Sequence, residues 1–226
     1  MANGKGMSYQ ERQQAIYRRR FADSEERRIE IWHVLTRQYF SRWVKPGDAV
    51  LDLGAGYCEF INNIIAAHKY ALDANPVTAE KASPEVSVLS QRADEPWSLA
   101  SESIDVVFSS NFFEHLPSKQ DFARCLDEAH RVLRSGGLLI AVGPNIRFCF
   151  DAYWDFVDHH LALSDRSMVE AMEIAGFRKE LVKPRFLPFT MSSRFPYRPF
   201  MVRLYLMFPP AQRLWGKQFL VIARKP

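Results

Sequence analysis

Along residues 8–43 the apolar positions Ile16, Ile29, Trp32, Leu35, Tyr39 and Trp43 stand out from a background rich in Glu, Arg and Gln. Several of their intervals are three or four, the spacing that gathers side chains on one helical face. One or two amphipathic helices are therefore predicted ahead of the main fold. Lys45-Pro46-Gly47-Asp48 ends that rhythm in a turn. Short apolar runs then alternate with helical patterns. Ala49 to Leu53 reads as a strand ending at Gly54-Ala55-Gly56, and Glu59 to Ala67 as a helix. Tyr70 to Asp73, Val86 to Leu89 and Ile104 to Ser109 read as three further strands. Lys119 to Leu133 is strongly periodic and runs into Ser135-Gly136-Gly137, a helix C-cap signal, before a fifth strand from Leu138 to Val142.

Beyond Gly143-Pro144-Asn145 the pattern changes. A loop rich in aromatics and acids (Phe148, Phe150, Tyr153, Trp154, Asp155, Asp158, with His159 and His160) leads to a predicted helix from Asp165 to Ala175. Lys179 to Arg185 and Gln218 to Ala223 read as the sixth and seventh strands. Between them Phe186 to Lys217 is dense in Pro, Phe, Tyr and Arg. That stretch is too long for a turn and too apolar for a disordered linker. Strands alternating with helices imply right-handed βαβ units and a sheet covered on both faces. The expected fold class is α/β, a doubly wound, Rossmann-like, seven-stranded and mostly parallel sheet. Residues 1–45 are expected to form an N-terminal helical cap and residues 46–226 the main domain, with 186–217 as an insertion or lid.

Composition narrows the class. With 226 residues, 47% hydrophobic and 25% charged, the chain can build a core of its own, which excludes disorder and collagen-like repetition. Cys58, Cys125 and Cys149 are odd in number and widely spaced, unlike a disulfide scaffold or a zinc finger. No apolar run approaches the roughly 18 residues of a membrane span, and the basic N-terminus is not followed by an uninterrupted apolar stretch. A cytoplasmic location is expected. Charge is distributed unevenly. Residues 1–45 carry 10 basic and 5 acidic groups, residues 46–175 carry 9 and 20, and residues 176–226 carry 11 and 1. Basic ends around an acidic middle suit either an anionic partner or packing of the ends on the middle.

In a doubly wound sheet, ligands bind outside the carboxyl ends of the strands, where the strand order reverses. Asp52-Leu53-Gly54-Ala55-Gly56-Tyr57-Cys58 is therefore the first place to look. Two glycines let the backbone turn tightly and approach a ligand. The third glycine of a dinucleotide fingerprint is absent, with Cys58 or Glu59 near its place, which disfavours a pyrophosphate site. Asp73, at the end of the second strand, can accept two charge-assisted hydrogen bonds from a ribose diol.

Taken in order, Val50 to Gly56, Asp73, Asp94-Glu95-Pro96-Trp97, Ile104 to Leu116 and Leu133 to Gly137 resemble the successive motifs of the class I S-adenosylmethionine-dependent methyltransferases. The resemblance spans about Lys45 to Val142. It implies that Gly54 and Gly56 pass close to S-adenosylmethionine, with Asp52 near its amino group. It further implies that Asp73 holds the ribose hydroxyls and that Asp94 accepts from the adenine amino group. Ser109 or Ser110, with Asn111, would line the methyl-transfer face. Cys58 departs from the family pattern, since many members carry a third glycine there.

Methyl transfer to a hydroxyl is helped by a general base. His115, His159 and His160 are the candidates; no metal is expected, because adjacent histidines with one Asp lack ligand spacing. His33, His68 and His130 read as structural or exposed. Asn111-Phe112-Phe113-Glu114 differs from the Pro-Pro-aromatic run of adenine-N6 DNA methyltransferases, and no Cys follows a Pro. Nucleic acid is accordingly disfavoured, although the basic tail keeps phosphate binding open. The segment Arg185 to Trp215 interleaves basic and aromatic residues, a mixture suited to anionic lipid or a lipid-linked substrate. A buried lid and a homodimer contact are the alternatives. The leading expectation is O-methylation of a small-molecule or glycan- or lipid-linked hydroxyl, at or near the inner face of the membrane. The rivals are N- or RNA methylation, and a cofactor-binding protein without turnover.

Overall fold

The computed structural model describes residues 25–189 and 198–226. The first part of the expected N-terminal cap and the middle of the insertion lie outside the described residues. Helix α1 (Glu25–Gln38) turns Ile31, Trp32, Val34 and Leu35 inward, and Arg28, one turn earlier, shares that buried face. The chain continues through β1 (Ala49–Leu53), β2 (His68–Leu72), α2 (Val77–Lys81), β3 (Val86–Leu89), β4 (Ile104–Ser110) and α3 (Lys119–Val132). It then forms β5 (Leu133–Pro144), α4 (Ile146–Tyr153), α5 (Asp165–Ile174), β6 (Arg178–Lys183), α6 (Pro199–Met207), α7 (Pro209–Trp215) and β7 (Gln218–Arg224).

The seven strands form one sheet in the order β3-β2-β1-β4-β5-β7-β6. All neighbours among β1 to β5 are parallel, and β7 runs antiparallel between β5 and β6. Every residue of β1 is buried, as a central strand covered on both faces requires. Alternate side chains feed two cores. Leu51, Leu53, Val107 and Leu139 pack on one face with Phe122, Cys125, Leu126 and Ala129 of α3. Val50, Val106, Phe108 and Ile140 pack on the other with α1 and with Phe60, Ile61 and Ile64. Helix α3 presents Phe122, Cys125, Leu126, Ala129 and Val132 to the sheet, and Ser118 caps it by accepting from the Asp121 amide at 3.1 Å. Burying Phe122 and Leu126 contributes about 1.5–3 kcal/mol each.

Three local expectations are corrected. Residues 59–67 form a series of turns, not a helix. Asn63 Nδ2 takes the Glu59 carbonyl that a helix would give to the Asn63 amide, and that amide donates to the Phe60 carbonyl instead, while the Asn62 side chain ties the segment to Lys81 and Ser83. Ser135-Gly136-Gly137 lies inside β5, not at a helix cap. Gly136 has φ +81, its N–H donates to Lys225 O, and Lys225 N–H donates to Gly137 O, so pairing with the chain's last residues draws the glycines into the sheet. A Cβ on Gly137 would stand 2.9 Å from Arg134 O, which is why glycine is needed there. Finally, the aromatic and acidic stretch after β5 begins as helix α4, not as a loop, because Asn145 caps it.

Candidate active site

The chain leaves β1 to build β2 and β3 on one side and returns to β4 on the other, so the carboxyl ends of β1 and β4 flank the switch point. Gly54 and Gly56 follow β1 with φ +70 and +50, left-handed conformations that glycine adopts without penalty. Gly54 is also a site of close approach: a Cβ there would stand 2.2 Å from Cδ2 of Phe112. Cys58, where family members often carry glycine, keeps the left-handed backbone at φ 60. Its buried thiol points to the Thr78 carbonyl, and burial pushes its pKa up to about 12.

Carboxylates gather around this loop. Asp73 lies just beyond β2. Its Oδ2 accepts from the Gly56 amide and its Oδ1 from the Asn75 amide, both at 2.8 Å, which fixes the loop against the strand end. A carboxylate offers about four lone-pair sites, so two remain for a diol. Burial raises the Asp73 pKa; the two amides and the nearby His115 charge oppose that. Asp52, on β1, is buried as well. Desolvation lifts its pKa well above the usual range against the Ile61 amide, and the charges of Glu59 and Asp73 lift it further. Three acids in a poorly solvated wall favour a cationic ligand. The buried Arg28 of α1 reaches in and ion-pairs with Glu59 at 2.7 Å.

The other expected cofactor residues fall into two groups. Asp94 is near the surface, where Arg92 donates to it at 2.8 Å and holds its pKa low against partial burial. Ser109 is fully buried, and its hydroxyl donates to the Leu53 carbonyl at 2.9 Å, tying the end of β4 to the root of the glycine loop. Ser110 and Asn111 lie at the mouth. Asn111 has φ 51, donates from its backbone to Val142 O, and donates from Nδ2 to Ser110 Oγ at 2.9 Å.

Next to them, the short 3-10 turn Phe113–His115 presents a polar cluster. His115 Nδ1 stands 2.9 Å from the Asp158 carbonyl oxygen. A carbonyl only accepts, so Nδ1 carries the hydrogen and Nε2 keeps a lone pair in the neutral ring. Glu114 Oε1 lies 3.9 Å from Nε2, and Asp158 Oδ2 lies 3.4 Å from Nδ1. Glu114 is buried. Its pKa is raised first by desolvation, with the His115 charge opposing and Asp158 adding.

The loop after α4 is held here because both the His160 and Leu161 amides donate to the Glu114 carbonyl. His159 is buried, 5.1 Å from the His115 ring, stacked on Phe156 and edge-on to Tyr153. The exposed His160 ring stands outside this cluster. Ligand atoms of Glu114, His115 and His159 lie within 4.8 Å of one another, so the structure brings together a donor set that the sequence spacing gave no reason to expect.

The sequence pattern assigned no role to Arg28, Phe112 or Glu114, and it set Asp158 beside His159 and His160, not beside His115. Arg28 had a signal: it precedes Ile31, Trp32 and Leu35 at helical spacing, on the face that must be buried. Glu114 had none, and nothing local linked Asp158 to His115, because that meeting follows from how two loops pack.

A glycine loop at the switch point, a carboxylate at the end of the next strand and an acidic wall suited to a cation are the features that the resemblance to class I S-adenosylmethionine-dependent methyltransferases implies. Residues 51–141 of the 226 match the family model of a methyltransferase domain. A search of the curated proteins finds no match. Among solved structures, the chain is similar to an S-adenosylmethionine-dependent methyltransferase from Archaeoglobus fulgidus, with 19% identity, 91% of this chain and 99% of that chain covered, and a TM-score of 0.68. It is also similar to a chain of the complex between the Haloferax volcanii Trm112 methyltransferase activator and a methyltransferase, at 19% identity, 93% and 96% coverage and a TM-score of 0.65. The [4+2]-cyclase SpnF has the same fold, at 17% identity, 86% and 81% coverage and a TM-score of 0.61. Such identities speak to the fold alone, and the acceptor has to be argued from this chain's own site.

Proposed function

We propose that the chain methylates a hydroxyl of a small-molecule or glycan acceptor, lipid-linked acceptors included, with His115 as the general base. The observation that carries this reading is the 2.9 Å contact from His115 Nδ1 to the Asp158 carbonyl, which leaves Nε2 as the proton-accepting atom. When bound, S-adenosylmethionine supplies an electrophilic methyl group on a sulfonium. Gly54, Gly56, Asp52 and Asp73 would hold it, with Asp94 toward the adenine and Ser110 and Asn111 toward the methyl group. The acceptor hydroxyl gives its proton to Nε2 of His115 as its oxygen attacks. The resulting imidazolium lies between the Glu114 and Asp158 carboxyl groups, at 3.9 and 3.4 Å. Tyr153 and Phe156 hold His159 beside His115, so His159 lines the acceptor side.

The experiment is transfer from labelled cofactor into fractionated cell extract, followed for His115→Ala and His115→Gln. Turnover should fall by about 10²–10⁴-fold while cofactor affinity is kept. A nitrogen acceptor that is already deprotonated needs no base. Turnover unchanged in both variants would transfer the reading to N-methylation, RNA included. Cofactor binding with no labelled product in any fraction would point to a protein without turnover.

A further inference from the structure

Helix α6 is apolar on both sides. Val202 and Leu206 face the core, and the opposite stripe, Phe200, Arg203, Leu204 and Met207, follows the same helical spacing into solvent. Phe200 and Leu204 are each 65% exposed and Met207 79%. Phe208, Leu214 and Trp215 continue this outer surface along α7, and all three are exposed. A helix that is apolar all round is normally buried, so the outer stripe implies a partner.

Tertiary contacts bring a second group beside it. The Arg185 guanidinium lies over the Phe148 ring at 4.1 Å and donates to the Arg213 carbonyl, and Lys217 Nζ stands 3.9 Å from Asp151, so α4 and α7 adjoin. Phe150, Trp154 and Val157, on and just after α4, are exposed by 57–79%. Of the twelve large hydrophobics exposed among the described residues, nine belong to these two groups.

Charge decides what covers them. Phe186 to Lys217 contains five basic residues and no acidic one, whereas residues 46–175 carry an excess of eleven acids. A second copy in an isologous contact would set the basic segment against itself. An anionic surface would attract this segment and turn the acidic body away. Helices of nine and seven residues are too short to cross a bilayer, and among the described residues no helix is long and apolar enough to do so. Aromatic and aliphatic side chains next to arginines suit the headgroup boundary.

We infer that α6, α7 and the α4 elbow form a docking face for an anionic lipid bilayer, on which the protein lies peripherally. This goes beyond the reading of the site, since the face can meet lipid whatever group is methylated. The face also adjoins the site: Phe156, directly before Val157, stacks on His159 at 5.0 Å. An acceptor carried at the membrane surface would thus arrive beside the proposed base.

The test is flotation of the full chain with vesicles of phosphatidylcholine alone and of phosphatidylcholine with about one third phosphatidylglycerol. Binding should require the anionic lipid and weaken as salt is raised. Arg203→Ala and Arg213→Ala should each weaken it about fivefold. Leu204→Glu with Trp215→Glu should weaken it at least about tenfold, since each places a charge in the apolar boundary. Cofactor affinity, measured by calorimetry, should be unchanged in all of these variants, which separates loss of the face from loss of the fold or of the site. No flotation with anionic vesicles at low salt overturns the proposal. So does a double variant that floats like the wild type, or one that dissociates a dimer in vesicle-free buffer where the wild type binds no lipid.

Discussion

The acidic wall around the glycine loop and the outer face of α6 and α7 invert the usual rule of soluble proteins in opposite ways. At the site, Asp52 and Glu114 are buried with raised pKa values, charge where apolar groups belong. On the face, Leu204, Met207 and Trp215 are exposed, apolar groups where charge belongs. Each inversion costs the isolated fold something and makes sense once a ligand is present. A cation offsets the buried acids, and an apolar boundary covers the exposed side chains. The two regions differ in how they are held. The wall is fixed by backbone amides to Asp73 and by the sheet, whereas the face consists of two short helices whose inner sides rest on the core through Val202, Leu206 and Ala211.

The sharpest way to break this contrast is Asp73→Ala. The Gly56 and Asn75 amides lose their acceptor, as would the ribose hydroxyls proposed to bind there, so cofactor affinity by calorimetry should drop about a hundredfold, with lipid binding unaffected. Equal affinity in wild type and variant would remove Asp73 from the cofactor site. Asp52→Asn tests the cost of the buried charge. The folded pKa of Asp52 is raised above the unfolded value, so stability linked to this group is present below the unfolded pKa and is lost as pH rises through the folded one. The Asn variant lacks that loss. It should therefore melt above the wild type at neutral pH, converge with it below about pH 4, and bind the cofactor more weakly. A lower melting temperature at neutral pH would show that Asp52 is not a strained acid in the free protein. The smallest effect is expected on the face. Leu204→Glu alone should change folding stability by no more than about 0.5 kcal/mol in a denaturant titration, because that side chain is already in water. A loss of several kcal/mol would mean the stripe is buried in solution, and the contrast would fail.

Much of the fold could be read from the sequence where the signal was local. β1 and β3 were expected with their observed bounds, and β4 nearly so, because continuous apolar runs between turn residues leave little choice. The order of the motifs gave the glycine loop and Asp73. What escaped were outcomes settled by competition. The Asn63 side chain takes a carbonyl from a helix-like pattern, and the chain's last residues claim Gly136 and Gly137 for the sheet. At the site, the three candidate histidines looked alike in sequence. The structure separates them: His115 is oriented by the Asp158 carbonyl, His159 is packed among aromatics, and His160 is exposed.

The sequence by itself determined the α/β alternation, the glycine turn and the charge excess of each segment, because these depend on periodicity, on φ freedom and on counting. Tertiary structure decided which loop carbonyl meets His115, which acids share the wall, and that α4 adds its apolar residues to those of α6 and α7. Those facts rest on contacts between residues 31 or more positions apart, such as Arg28 with Glu59, His115 with Asp158 and Phe148 with Arg185. No local pattern encodes them, since they arise only when separate segments pack on the same sheet and the polar groups trapped between them must find partners.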